Sequence, residues 1–245
     1  LLERLDDHPL NVLVTDRVEA VLGDIFWSLS NVASRSGLSL DAIAQKTLHM
    51  LAMRWSVPHQ GNFFDDGIDP TQQLPRHFAV EFRLRDDGRV QLSRDAQPIG
   101  DPLTDNNYLD DGYRFHDVFH LAYAAVLGWS PVTRKLLDCK RRGIPEIAEV
   151  EDGGRAAVCE EGVSALVYSY ARTRTLLAGV NEIDHDILRM ISALTGHLEV
   201  RVRTPAEWQR AILVGYRVWH QVRAANGGVV TVDLNNKGLF FATLP

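Results

Sequence analysis

Apolar residues recur at helical spacing along most of the chain and alternate with polar ones in only a few short stretches. This pattern predicts a mainly α protein. From about Val18 to Arg35 the positions Val21, Leu22, Ile25, Phe26, Leu29 and Val32 fit one helix, with Gly37 as its stop. Ser39 can cap a second helix with the stripe Leu40, Ile43, Ala44, Thr47, Leu48, Leu51 and Trp55. Joined by Ser36-Gly37-Leu38, the two form an antiparallel pair. Apolar residues such as Phe26, Trp27 and Leu29 occupy more than one face of it, which suits a subunit interface.

Between residues 56 and 76 the periodicity dissolves among Pro58, Gly61, Asp65-Asp66-Gly67, Pro70 and Pro75, and Phe63 and Phe64 are expected to pin this connection to the body. Phe78, Val80, Phe82 and Leu84 then alternate with polar residues, Asp86-Asp87-Gly88 turns the chain, and Val90 and Leu92 return it as a hairpin. Residues 95–112 are rich in turn formers. An apolar helix follows over Asp110 to Leu127, stopped by Gly128, and Ser130-Pro131 opens a short helix that ends in Lys140-Arg141-Arg142. Further helices are predicted from Arg155 to Arg172 and from Asp184 to Thr195. The Thr204-Pro205-Ala206-Glu207 capping box begins another, carrying Trp208, Ile212, Tyr216 and Trp219. Residues 229–234 and 239–241, around Asn235-Asn236-Lys237-Gly238, read as a closing hairpin.

Two apolar helices carry polar interruptions. His116, Asp117 and His120 fall within five residues at the start of the central helix, and i, i+3 and i+4 share a helix face, so all three converge on one side. Glu160 and Glu161 interrupt the later helix beside Val158, Leu166 and Val167. Acids in such company need a neutralising partner, and a divalent cation shared with Asp117 supplies one. Helix capping or solvation accounts for any one of these residues alone, but less readily for five together.

Composition adds bounds. The 245 residues suffice for one large domain or two small ones, and 45% hydrophobic with 24% charged residues describes a soluble globular chain. A formal charge of −6 argues against broad nucleic-acid binding. No apolar run is long enough to span a membrane and no leader pattern is visible, so a cytoplasmic location is expected. Cys139 and Cys159 are the only cysteines, too few for a disulfide framework.

Two stretches resemble a known family. Gly23-Asp24-Ile25-Phe26-Trp27-Ser28-Leu29, with Gly37-Leu38-Ser39-Leu40-Asp41-Ala42-Ile43-Ala44 and Arg54-Trp55, resembles the second metal-binding helix and the following helix of MazG-like nucleoside triphosphate pyrophosphohydrolases. The longer stretch runs from Gly100-Asp101-Pro102-Leu103-Thr104-Asp105 through Tyr113-Arg114-Phe115-His116-Asp117-Val118-Phe119-His120 and Glu149-Val150-Glu151-Asp152-Gly153-Gly154-Arg155 to Glu160-Glu161. It resembles the C-terminal domain of longer MazG-like proteins. The resemblance implies an all-α NTP-pyrophosphatase-like helical bundle, here with two small β-hairpins. It also implies Mg²⁺ dependence, a homodimer, and hydrolysis of a (deoxy)nucleoside triphosphate to monophosphate and pyrophosphate. The expected organisation is a helical pair over residues 1–57, a connection and hairpin over 58–100, and a C-terminal helical domain over 101–245.

The chain departs from the family's two facing carboxylate motifs. Asp24 matches the last acid of the second motif, but Val21 stands where its glutamate belongs, and the missing first helix is expected upstream of Leu1 or lost. In the C-terminal half, Asp117-x-x-His120 and Glu161-x-x-Ser164 take the places of the two motifs. On this reading His116, Asp117, His120 and Glu161 hold the metal, Glu160 is the base, Arg114 assists catalysis, and Lys140 and Arg141 meet the nucleotide's phosphates. Mg²⁺ is the expected ion, with Mn²⁺ or another transition metal the alternative that imidazole favours. Two competing readings remain: an HD-type phosphohydrolase drafting His77 and Asp184 or Asp186 around His116-Asp117, and a non-catalytic nucleotide sensor using Trp208, Tyr216 and Trp219 as a stacking platform.

Overall fold

The computed structural model describes residues 10–54 and 63–244. Trp55 and the loop positions Pro58 and Gly61 lie outside them, as do the first nine residues. The chain divides into two compact units, Leu1–Trp55 and Ser56–Pro245.

In the first unit, α1 (Leu10–Arg35) and α2 (Leu40–Arg54) form the helical pair expected from the spacing. Gly37, at φ 67°, makes the reversal between them, and Ser39 Oγ accepts the Ala42 N–H at the start of α2. The apolar residues Val21, Leu22, Ile25, Phe26, Trp27 and Leu29 are all exposed.

The second unit corrects the all-α expectation, because its strands join into one five-stranded antiparallel sheet of order β3-β2-β1-β4-β5. β1 (His77–Leu84), β2 (Val90–Arg94) and β3 (Gln97–Leu103) form a meander near the start of the unit. β4 (Gly227–Asp233) and β5 (Gly238–Ala242) return more than 140 residues after the end of β1, and β4 pairs with β1 from His77↔Asp233 to Arg83↔Gly227. Two separate hairpins would each leave an open edge and a half-covered face; joined through β1 and β4, they present a continuous row of Phe78, Val80, Phe82, Val90, Leu92, Val230 and Val232 to the interior. β3 falls in a stretch that reads as turns, since Pro98, Gly100 and Pro102 suit only an edge strand.

Helices cover that face, giving a two-layer α+β arrangement. α3 (Asp117–Leu127) is buried along its whole length, packed by α8 (Pro205–Ala224), α4 (Pro131–Leu136), α6 (Gly154–Arg172) and the β4–β5 strands. α3 and α8 approach closely at Gly215, where a Cβ would lie 3.1 Å from that of Ala122. α5 (Pro145–Val150) and α7 (His185–Thr195) complete the layer. The local signals at helix starts hold: Ser130 caps α4 with Pro131 at its first turn, and Thr204 and Glu207 form a reciprocal capping box on α8. No helix among the described residues is long and apolar enough to cross a membrane.

Candidate metal centre

The predicted central helix is shorter than its pattern suggests. Gly112 has φ 84°, followed by a 3-10 turn over Tyr113–Phe115, and α3 starts only at Asp117. A side chain at Gly112 would be strained in that conformation and would also meet α8, 2.6 Å from Arg223 Nε and 3.1 Å from the Trp219 ring. The Trp219 indole donates to the Gly112 carbonyl, so the turn is seated on α8 from both sides. His116 therefore sits at the junction of turn and helix, at the lip of the interior, while His120 lies one turn further in. They are 7% and 1% exposed, respectively.

Each imidazole is held by its Nδ1. The His116 Nδ1–H donates to the Tyr113 carbonyl at 2.8 Å, and the ring lies flat on Tyr113, 4.4 Å between centroids with 2° between planes. The His120 Nδ1–H donates to Glu160 Oε1 at 2.8 Å across the α3–α6 contact. A carbonyl or carboxylate can only accept, so Nδ1 carries the proton in both rings, and each Nε2 faces the same space. Glu161 Oε2 is 3.5 Å from His120 Nε2 and 4.0 Å from His116 Nε2, and Asp117 Oδ1 is 3.4 Å from His116 Nε2. Ligand atoms of His116, His120 and Glu161 all lie within 4.8 Å of one another, and they are the group of that kind among the described residues. Asp117 joins through His116, so both carboxylates approach the same imidazole.

Glu160 has a different environment. It is fully buried, and besides His120 it accepts the Ser130 hydroxyl at 2.6 Å and the Val132 N–H at 2.8 Å, the latter from the first turn of α4. The N-terminal end of a helix favours an anion, so this carboxylate is stabilised without reaching solvent. The Glu161 side chain is 46% exposed and forms the open side of the cluster. Burial opposes a charge on His120, but Glu160 and Glu161 outweigh it and raise its pKa well above the ordinary value. Burial likewise pushes the Glu161 carboxyl up, and the two histidines reverse this and hold it below the usual range. The site thus attracts positive charge. His120 Nε2, almost fully buried, nevertheless has no hydrogen-bond partner. An imidazole nitrogen left so, 3.5 Å from the Glu161 carboxylate, fits a divalent cation: ligands each about 2.1 Å from one ion stand roughly 3–3.5 Å apart.

The cationic residues expected at phosphates are otherwise engaged. Arg114 is paired with Asp105 and, at the surface, with Asp110 at 2.8 Å, and it donates to the Gly88 carbonyl. Arg141 is buried against Asp152 and Glu199, each at 2.7 Å, and Lys140 beside it is partly exposed. The residues of the HD alternative are dispersed: His77 opposes Asp233 at the end of the sheet pairing, Asp184 holds Arg174 and Asp186 holds Arg189. Trp208, Tyr216 and Trp219 are core residues, at most 2% exposed, and form no stacking platform at the surface. Ser130 and Tyr113 were readable only as a helix cap and an aromatic neighbour. Tyr113 stands three residues before His116, a spacing that hints at contact, whereas nothing local links Ser130 to Glu160.

A two-layer α+β domain with a histidine and carboxylate cluster between its central helix and a neighbouring one is thus the class that fold and site define. The family model of the MazG C-terminal domain matches residues 59–245, and the chain belongs to that family. No individual curated protein and no solved structure matches it. Membership points to pyrophosphohydrolase-type chemistry on nucleotides with a divalent metal.

Proposed function

We propose that the protein hydrolyses a (deoxy)nucleoside triphosphate to monophosphate and pyrophosphate in a metal-dependent reaction at the α3–α6 cluster. The observation that carries this reading is the convergence of His116, His120 and Glu161 at a buried His120 nitrogen without a hydrogen-bond partner, with Asp117 beside His116, in a chain of the MazG C-terminal family. His116, His120, Asp117 and Glu161 would hold the ion, which when bound neutralises phosphate oxygens and polarises the anhydride.

The chain's own groups divide the remaining work. Glu160 is fully buried and already accepts from His120, Ser130 and the Val132 N–H, so its part is to orient His120 rather than to act as the base first expected. The carboxylates nearer solvent, Asp117 and Glu161, are the ones able to hold an attacking water. Attack at the α-phosphorus forms the new P–O bond and breaks the bond to the bridging oxygen, pyrophosphate leaves, and the water's proton passes to the carboxylate. Arg114 can reach a phosphate by giving up Asp110, a surface pairing worth at most about 1 kcal/mol. Arg141 is committed to its own ion pairs and serves the fold.

Incubating the pure protein with a panel of NTPs and dNTPs plus Mg²⁺ or Mn²⁺ tests this. Pyrophosphate with monophosphate is expected. Release of orthophosphate alone would indicate another phosphohydrolase, and the absence of either product would favour a nucleotide sensor.

A further inference from the structure

We infer that the α3–α6 site is built for a single transition-metal dication rather than for Mg²⁺, with the Nε2 atoms of His116 and His120 and the carboxylates of Glu161 and Asp117 as its ligands. This deepens the reading of the same site and rests on that reading only for the presence of a metal. Three features carry it.

The first is ligand type. Mg²⁺ takes oxygen ligands in near-ideal octahedral geometry and keeps much of its water, whereas imidazole suits Mn²⁺, Fe²⁺, Co²⁺, Ni²⁺ and Zn²⁺. Here two of the converging donors are ring nitrogens.

The second is preorganisation. A histidine that faces an acid by chance keeps its rotamer and tautomer free, but both of these are fixed by an acceptor at Nδ1. The His116 ring is further clamped on Tyr113, which packs edge-on against Tyr168. Glu160 is itself anchored by Ser130 and the Val132 N–H, so a chain of hydrogen bonds runs from the first turn of α4 to the His120 ring. A carboxylate behind an imidazole is the arrangement that orients metal-bound histidine and raises its basicity. At the end of that chain stands the unpartnered Nε2, 1% exposed. Leaving a buried polar atom unsatisfied is destabilising, a penalty that a ligand removes.

The third is charge. Glu160 is held by the His120 Nδ1–H, the Ser130 hydroxyl and the Val132 N–H, which leaves Asp117 and Glu161 as the two carboxylates facing the His116 and His120 Nε2 atoms. Two carboxylates neutralise one dication and leave no surplus for a second.

The test uses the full chain stripped with chelator and dialysed against Mn²⁺, Co²⁺, Zn²⁺ or Mg²⁺ alone, without nucleotide. Bound metal is measured by elemental analysis, Co²⁺ additionally by its visible absorption, and folding by circular dichroism. One transition ion per chain is expected, with Co²⁺ and Zn²⁺ tighter than Mn²⁺, and Mg²⁺ failing to displace Co²⁺ at a hundredfold excess. The bound ion should raise the melting temperature. His120→Gln should lose the Co²⁺ bands; because His120 is buried, His116→Gln at the lip serves as the second variant and should weaken Co²⁺ binding at least tenfold while remaining folded. Binding of Mg²⁺ equal to that of Co²⁺ overturns the inference, as does no binding by any ion or unchanged Co²⁺ spectra in a folded His116→Gln protein. Mg²⁺-supported pyrophosphate release without transition-metal binding would sink this inference and leave the proposed function standing. Tight Co²⁺ binding without turnover of any nucleotide would do the reverse.

Discussion

Two polar clusters are buried in the second unit, and they differ in how far their donors and acceptors match. Around Arg134 and Arg141, Asp65 accepts from Arg134, Arg76 and the Leu74 N–H, while Arg141 spreads its guanidinium over Asp152, Glu199 and the Phe64 carbonyl. Every charge there has a partner of opposite sign, and the loop after residue 62 is tied by it to α4 and to the α5–α6 connection. Around His116 and His120 three acids face two imidazoles, one imidazole nitrogen is unmatched, and Glu161 opens the cluster to solvent. Burial and charge are common to both, so neither marks function. What sets this cluster apart is that its unmatched nitrogen faces a second imidazole and a half-exposed carboxylate, a group of donors that one cation would satisfy together.

Substitutions that remove one side of a matched pair should have the largest effect. Arg141→Ala strands Asp152 and Glu199 in the interior and is expected to cost about 3–5 kcal/mol of stability, read by denaturant unfolding. A loss under about 1 kcal/mol would erase the distinction between the two clusters. In the unmatched cluster the effect should move from stability to activity. Asp117→Asn and Glu161→Gln are each expected to lower metal-dependent pyrophosphate release on the order of a thousandfold, with the double variant little worse, since residues acting as a unit are not additive. The metal-free melting temperature should hold, because each change removes a charge while keeping its shape. Melting temperatures that fall in step with activity would mean that these acids serve the fold.

Glu160 sharpens the contrast, since it faces the histidines on one side and caps α4 on the other. Glu160→Gln should reduce metal affinity roughly 10- to 100-fold, measured by dialysis, and also destabilise the protein by about 1–3 kcal/mol. An effect on only one of the two readouts would assign it wholly to one role. The smallest effect expected is in acid. Burial would raise the Asp65 carboxyl, but Arg76, the Leu74 N–H and Arg134 together hold it below the ordinary range. A depressed folded pKa contributes stability that is complete above the unfolded value, about 3.9, and is lost as pH falls through the folded value. Thermal melts should therefore show a decline below about pH 4 that is shallower in Asp65→Asn, and equal slopes would remove Asp65 from the account.

Much of the site was legible in the linear chain because it rests on local geometry. The i, i+3 and i+4 rule alone groups His116, Asp117 and His120, and two acids inside an apolar helix announce a partner. Caps at Ser130 and Thr204 are likewise decided within four residues, and both are present in the fold. Amphipathic spacing similarly located the helices, to within a residue or two in α6 and α7.

What only the tertiary structure decided are relations between distant segments. The β1–β4 pairing turns two hairpins into one sheet, and no local pattern can say which edges meet when more than 140 residues separate them. Which of two adjacent glutamates faces the interior is also a matter of helix rotation: Glu160 turns to His120 and Ser130, Glu161 to solvent, and only that rotation separates the proposed orienting group from the proposed ligand. Arg141 reads as a phosphate-binding cation in sequence because its partners Asp152 and Glu199 come from other elements. Sequence determined which polar side chains share a helix face, through periodicities that act over one helical turn; long-range packing determined which of them were matched with one another and which were left without a partner.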